Sequence, residues 1–241
     1  MKTVKSWIRR TIRAAGYDLH RLRPETSPGH QLGLSLAHFD VDLVLDVGAN
    51  AGQFAAGLRA FGYAGKIVSF EPLSAAHARL TEKAAGDDAW RVHPRTAVGD
   101  EDGTIEINIA GNSFSSSVLP MLDAHSDAAQ GSAYVGSEQA PIARLDTIAP
   151  PYLAGSRNPF LKIDTQGFEA HVLNGAAGIL PRIRGVLCEL SLVPLYEGQP
   201  LWGEMLARFE AAGLTLWALQ PGFTDPRDGR TLQADVILFR V

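Results

Sequence analysis

Leu43-Val44-Leu45-Asp46-Val47-Gly48-Ala49-Asn50-Ala51-Gly52 is the stretch that decides how this chain folds. Its first five residues are nearly all aliphatic, the pattern of a strand buried on both faces. They run into a loop bounded by two glycines, after which Phe54, Leu58 and Phe61 recur at helical spacing up to Gly62. A strand that turns through glycines into a helix opens a βαβ unit. The glycines let the backbone turn tightly and approach a ligand, and the helix that follows presents its positive end. The same two glycines also suit a bare βα turn, so the loop alone does not decide for a ligand.

Outward from this unit the alternation continues. Lys66-Ile67-Val68-Ser69-Phe70 reads as a second strand, a helix runs from about Ser74 to Ala85, and a third strand lies near Trp90 to His93. The rhythm then breaks. Gly103 to Ala110 alternates through Ile105, Ile107 and Ile109, and a Ser/Ala/Gly-rich stretch follows to Gln139. An irregular segment this long is expected to be a functional insertion or lid, here about 101–145. Strand and helix resume with Phe160 to Asp164, a helix from about Phe168 to Leu180, a strand Gly185 to Leu190 and a helix from about Leu201 to Ala212. Two closing strands, Leu214 to Leu219 and Asp235 to Arg240, have no helix between them, so the last is expected antiparallel. The expectation is an α/β fold: a seven-stranded, mostly parallel sheet with an antiparallel last strand, helices on both faces, and an inserted β/loop segment before the fourth strand.

The chain has 241 residues, 46% hydrophobic and 20% charged, enough for one core and too few for two full domains. A net charge of −4 argues against nucleic acid as a partner of the whole protein. Cys188 is the only cysteine, so no intrachain disulfide forms, and no apolar run reaches a membrane span. The cytoplasm is the expected compartment. Charge is unevenly spread: Lys2, Lys5, Arg9, Arg10, Arg13, Arg21 and Arg23 face only Asp18 between Met1 and Arg23. Val4, Trp7, Ile8, Ile12 and Ala15 recur at helical spacing, which predicts a short basic amphipathic helix. It reads either as a solvated helix packed on the domain, or as a foot on an anionic membrane surface or a homodimer arm. The Pro24 to Gly29 stretch reads as a linker, dividing residues 1–29 from a catalytic domain over 30–241. A truncation starting near Gln31 is expected to stay folded.

Glu71 follows the second strand directly and precedes Pro72, where an acid accepts both hydroxyls of a ribose or caps a helix. With Gly48 and Gly52 it predicts an adenosine site. The loop lacks the G-x-G-x-x-G order that a pyrophosphate favours, and no Tyr-x-x-x-Lys pair follows. Asp164 ends the fourth strand, where ligands of such sheets sit, and a carboxylate there can orient or deprotonate an acceptor hydroxyl. Paired with Glu189 at the end of the fifth strand, it can instead hold magnesium, an alternative rather than an expectation, and no metal site is predicted. Asp164 also reads as a cap or a partner of the cofactor amine, and Lys162 shares its face of the strand as an ion-pair candidate. His125 and His171 are further candidate bases.

The segments Leu45 to Asn50, Ser69 to Pro72, Ala97-Val98-Gly99-Asp100, Leu145-Asp146-Thr147, Lys162 to Glu169 and Val172 to Ala176 resemble the FkbM-type methyltransferase family, in the family's order. The resemblance implies a Rossmann-like class I methyltransferase sheet, S-adenosylmethionine as cofactor, and methyl transfer to an oxygen of a sugar, polyketide or related acceptor. It implies that Gly48, Asn50 and Gly52 wrap the methionine part of the cofactor, with Gln53 near its carboxylate and Asp46 among the cofactor-binding residues. Glu71 is then the ribose ligand, Ala97 lies at the adenine edge and Asp164 borders the cofactor. Many members carry Glu where this chain has Gln166, so a carboxylate role does not carry over there. The acceptor expected is a small or glycosylated molecule, for which Asn112 to Ser117 and Tyr134 offer hydroxyl-binding groups. Two other classes stand beside this expectation: a nicotinamide-dependent oxidoreductase or sugar-nucleotide-modifying enzyme on a similar sheet, and a binding module without catalysis.

Overall fold

The structure of the protein, a computed structural model, describes residues 2–241, apart from the side chains of residues 2–5 and Ile8. Two helices, α1 (Lys2–Ala14) and α2 (Pro28–His38), lead into β1 (Leu43–Val47), α3 (Gln53–Ala60), β2 (Lys66–Phe70), α4 (Ser74–Ala84) and β3 (Trp90–Val92). The middle of the chain forms β4 (Ala97–Gly99), β5 (Gly103–Ala110), α5 (Asp123–Ala128), β6 (Tyr134–Arg144), α6 (Leu145–Ile148) and α7 (Pro150–Leu153). The rest is β7 (Pro159–Ile163), α8 (Glu169–Gly175), β8 (Gly185–Ser191), α9 (Trp202–Ala211), β9 (Thr215–Pro221) and β10 (Gln233–Phe239).

Seven strands form one sheet in the order β3-β2-β1-β7-β8-β10-β9. β1 lies parallel to β2 and β7, whereas β10 runs antiparallel to both of its neighbours. The chain moves outward from β1 to β3 and then returns to β7, so the switch in strand order falls between β1 and β7. In such sheets the ligand crevice opens there, at the carboxyl ends of the strands. Every residue of β1 and β7 is buried. Alternate residues feed two cores: Leu43, Leu45, Val47, Leu161 and Ile163 pack with α8 and α9, while Val44, Ile67 and Phe160 pack with α2, α3 and α4.

Three differences from the sequence expectation have local causes. The stretch expected to be irregular up to Gln139 contains β6, an eleven-residue strand. Only Ala140 and Ile142 of β6 are buried, so its sequence shows no apolar alternation; pairing with β5 and β4 holds it instead. Ala97–Gly99, to which the sequence pattern assigns no strand, is β4 of that same small sheet. Finally, the expected helix after Phe168 ends early: α8 stops at Gly175, and a tight 3₁₀ turn spans Leu180–Arg182.

At the amino end α1 matches the expected helix; of its apolar face, Val4 and Ile8 lie outside the described side chains. Gly16 ends it in the left-handed region (φ 84°), with Tyr17 N–H donating to the Ile12 carbonyl at 3.0 Å. α2 begins inside the stretch that reads as a linker. Ser27 Oγ accepts from His30 N–H at 3.4 Å and Pro28 occupies the first turn, an ordinary helix start. Leu32 and Leu36 are buried, and Gln220 donates to the Pro28 carbonyl at 3.0 Å and to Gln31 Oε1 at 2.9 Å.

Candidate cofactor and acceptor site

A cavity of about 280 Å³ opens at the switch between β1 and β7, at the small end of the range for ligand sites. Gly48, Asn50 and Gln53 line it from the first loop and helix, Glu71 from the end of β2, and Ala97 from β4. Asp164 and Glu189 line it from the ends of β7 and β8. The inserted segment closes the other side with Ile107, Ser113, Phe114, Ser116, Ser117 and Val118. Two residues of the expected cofactor set lie outside this lining. Gly52 caps α3 at φ 77°, where a Cβ would press on Trp90 and Leu80. Asp46 is fully buried one layer below the crevice floor.

That lower layer is a polar row crossing the sheet. The register sets Ser69 beside Asp46 and Asp46 beside Lys162. Trp90 Nε1 donates to Ser69 Oγ at 3.0 Å, and Ser69 Oγ donates to Asp46 Oδ2 at 3.0 Å. Lys162 Nζ lies 3.1 Å from Asp46 Oδ1 and 3.6 Å from Asp164 Oδ2. It also donates to the carbonyls of Gly48 at 2.7 Å and Val47 at 3.2 Å. Burial opposes its charge, but Asp46 and then Asp164 outweigh burial and hold its pKa above the ordinary lysine range. The ion pair open in the sequence is therefore present, and it ties the first loop to β7. Gly48 must be glycine here: at φ 75°, a Cβ would overlap the Asp164 carbonyl.

Glu71 is buried with its carboxylate accepting from Asn50 N–H at 2.8 Å and Leu73 N–H at 2.9 Å. Burial pushes its pKa up to about 7, against the pull of those two donors. A second row of carboxylates starts in the crevice with Asp164 and Glu189 and continues outside its lining to Asp235, paired opposite Glu189. Burial, followed by the neighbouring Asp164 and Asp235, pushes Glu189 well above the usual carboxylate range. Asp235 rises to about 6 through burial and then Asp164.

Gln166 holds this row together. Its amide Nε2 donates to Asp164 Oδ1 at 2.9 Å and Glu189 Oε2 at 2.8 Å, while Tyr196 OH donates to its Oε1 at 3.0 Å. Gln233 Nε2 donates to the same Glu189 oxygen at 2.8 Å. Glu169 Oε1 accepts from Thr165 and Gly167 N–H at 2.9 and 3.1 Å and so shapes the turn that carries Gln166. Asn50 (φ 47°), Ser113 (φ 58°) and Gln166 (φ 54°) are left-handed non-glycines, and all three line the cavity. Each such residue costs ~1–2 kcal/mol, and strain of this kind gathers at functional sites. Asn50 Nδ2 donates to the Ser113 carbonyl at 3.1 Å, and Ser117 Oγ to the Gln166 carbonyl at 2.6 Å. The insertion is thereby pinned to both edges of the crevice.

Gln166, Asp235, Tyr196 and Glu169 were missed by the sequence reasoning. Asp235 carried a signal as an acid inside an otherwise apolar closing strand, and Gln166 carried one only as a departure from the family's Glu. The two histidines lie outside the cavity lining. His125 is buried against Ser115 Oγ at 2.9 Å, its pKa lowered by burial to about 4, and His171 pairs with Asp100 at 2.9 Å. Asp164 and Glu189 are the carboxylates that would hold a magnesium ion, and here the Gln166 amide donates to both. Among the described residues no group of three or more His, Cys, Asp or Glu side chains has a metal-binding arrangement.

The strand order, the crevice at its switch point and the acid after β2 define a class I methyltransferase architecture, the S-adenosylmethionine-dependent type. The family model of the methyltransferase FkbM domain matches residues 46–215, and the chain belongs to that family. Among curated proteins none matches the chain. Solved structures resembling it include the mitomycin 7-O-methyltransferase MmcR, 13% identical with a TM-score of 0.48 over 88% of this chain and 53% of that one. TehB from Haemophilus influenzae is 9% identical with a TM-score of 0.45, over 88% of this chain and 62% of TehB. An rRNA methylase from Streptococcus thermophilus is 14% identical with a TM-score of 0.47, over 92% and 99%. The chain thus spans about half to two thirds of the first two. The family model, rather than these distant likenesses, places the chain and displaces the nicotinamide-dependent alternative.

Proposed function

We propose that the protein transfers a methyl group from S-adenosylmethionine to a hydroxyl of a sugar, in a glycolipid, polysaccharide or secondary metabolite. The observation that carries this reading is the Asp164 carboxylate, which shares one cavity with Glu71 and the first loop. The residues fit the cofactor. Glu71 offers a desolvated acceptor for the ribose hydroxyls, and Gly48 and Asn50 a strained loop for the methionine part. Gln53 lines the cavity where it would meet the methionine carboxylate, and Ala97 with Phe168 offers an apolar slot for adenine. S-adenosylmethionine, when bound, supplies a methyl group already activated on a sulfonium. The protein's task is then to place the acceptor oxygen in line and to keep water out.

Asp164 is suited to receive the acceptor's proton. Its side chain is 37% exposed into the cavity, with Lys162 3.6 Å away and the Gln166 amide fixing one oxygen. Glu189, held well above the ordinary range, adds a second hydrogen-bonding group to the acceptor side. Ser113, Ser116 and Ser117 surround that side, although Ser116 Oγ also accepts from Ala110 N–H at 3.0 Å and so serves the insertion's own structure. The lone buried cysteine and the absence of any described helix long and apolar enough to cross a membrane accompany a proposed cytoplasmic reaction.

Asp164→Asn tests the assignment, because it keeps shape and hydrogen bonding but removes the charge. Turnover on a sugar acceptor is expected to fall ~100-fold to 10,000-fold while cofactor affinity changes much less. A chelator is expected to leave the wild type unaffected; inhibition reversed by magnesium would favour the metal alternative. Near wild-type turnover of the variant would leave Asp164 with a structural role only.

A further inference from the structure

We propose that residues 2–23, α1 with the segment returning from it, form a docking surface for an anionic phospholipid membrane. The charge is concentrated there: seven basic residues against Asp18 give +6, and since the whole chain is −4, the remainder carries −10. The body is repelled by an anionic surface, and this segment alone is drawn to one. Every described side chain of α1 is exposed except the partly covered Ile12. Trp7 is 60% exposed, Tyr17 73% and Leu22 64%, which leaves large apolar and aromatic groups in water beside the cations.

The sequence period separates the two characters. Val4, Trp7, Ile8, Ile12 and Ala15 fall on one helical face, Lys2, Arg9 and Arg13 on the opposite one, and Lys5 and Arg10 on the flanks between them. A helix of this kind lies in the membrane interface with its apolar face down and its cations among the headgroups. Asp18 and Gly16 shape the return: Arg13 Nε lies 3.1 Å and His20 Nε2 3.0 Å from Asp18, folding residues 17–23 back beside α1. Between them runs a groove of about 950 Å³ whose charged lining is Arg9, Arg10, Arg13, Arg21 and Arg23 against one acid, Glu25, which pairs with Arg23 at 3.4 Å. Arg9, Arg10 and Arg21 make no ion pair among the described residues, so they remain available to lipid phosphates.

Other occupants fit less well. A nucleic acid would use the cations and leave Trp7, Tyr17 and Leu22 in water. A second copy of this segment would set +6 against +6. The proposal is independent of the acceptor chemistry, since every residue it uses precedes the cofactor site.

The test uses the full chain with extruded vesicles of phosphatidylcholine alone, or with about one third phosphatidylglycerol, in a sedimentation assay. Binding is expected only to the anionic vesicles and is expected to weaken steeply when salt rises from about 0.1 M to about 0.5 M. At about fivefold per basic residue, Arg9→Gln, Arg10→Gln and Arg21→Gln together should weaken it roughly 100-fold. Trp7→Ala should weaken it roughly tenfold, with the melting temperature of both variants unchanged. Equal binding to both vesicles, binding to neither, or variants that bind like the wild type would overturn the proposal. So would a concentration-dependent doubling of mass abolished by Trp7→Ala, or duplex DNA competing fully with the vesicles.

Discussion

Replacing Lys162 by methionine keeps the side chain's length and apolar stem but deletes an ammonium that is only 3% exposed. Four oxygens depend on it: Asp46 Oδ1 at 3.1 Å, Asp164 Oδ2 at 3.6 Å, and the carbonyls of Gly48 and Val47 at 2.7 and 3.2 Å. Asp164 can rehydrate through the cavity, so the loss falls on Asp46, which is 0% exposed and would keep only the Ser69 hydroxyl. Removing one partner of a buried pair costs ~3–5 kcal/mol. In a chain of this size each kcal/mol lowers the melting temperature by ~2–4 °C, so a drop of about 6–20 °C is expected in a thermal melt. Asp46→Asn in the same chain removes the stranded charge and should restore more than half of it, a coupling that a double-mutant cycle measures directly. Below the melting range Lys162→Met should also bind S-adenosylmethionine more weakly, because the first loop loses its tether. A single variant melting within ~2 °C of the wild type, or a double variant no more stable than Lys162→Met, would refute this account of the row.

Glu71 sets a pH dependence. Its pKa rises in the fold from 4.5 to about 7, so the unfolded chain holds fewer protons in that interval, and the unliganded protein should lose stability as pH rises through it. Hydroxyls donate to the ionised form, so cofactor affinity by calorimetry should weaken toward tenfold per pH unit below about 7. Glu71→Gln should bind ~10-fold to 150-fold more weakly with a flat profile; a normal, pH-independent affinity would remove Glu71 from the site. Gln166→Glu deletes the amide shared by Asp164 and Glu189 and adds a third carboxyl, whose pKa must rise. The variant should be ~1–3 kcal/mol less stable at about pH 8 and recover toward about pH 6, as melts at both values would show. A chain starting at Ser27 keeps the cap of α2 and should melt within ~2 °C of the full protein. One starting at Gln31 loses the cap and the Pro28 carbonyl contact and should be ~1 kcal/mol less stable or worse.

β1 and β7 were legible because burial on both faces erases alternation and leaves aliphatic runs, and because Gly48 and Gly52 mark the turn that follows. The acids after β2 and β7 were legible for the same reason: a charged residue directly after a buried strand stands at the crevice or caps a turn. What the sequence did not disclose is depth. Asp46 and Asp164 both follow aliphatic residues at a strand's end, yet the register places Asp46 opposite Lys162, one layer below the cavity, and Asp164 at its floor. Nor did it disclose β6, whose order comes from pairing with strands on either side rather than from its own pattern.

Gln166 shows why the remainder needed three dimensions. In the sequence it is a departure from the Glu many members of the family carry, with no chemistry of its own. In the fold it sits at φ 54° between two carboxylates that approach from different strands, with Tyr196 donating to its other end. Asp164, Glu189, Asp235 and Glu169 crowd this end of the sheet against one nearby ammonium among the described residues, Lys162, which Asp46 already shares. A carboxylate at position 166 would need a proton or a cation to stand there, whereas an amide supplies both of its N–H groups to the neighbours and adds no charge. The substitution therefore fits the acids around it: with Gln166 in place, its amide fixes Asp164 in one orientation toward the cavity and adds no charge to the row.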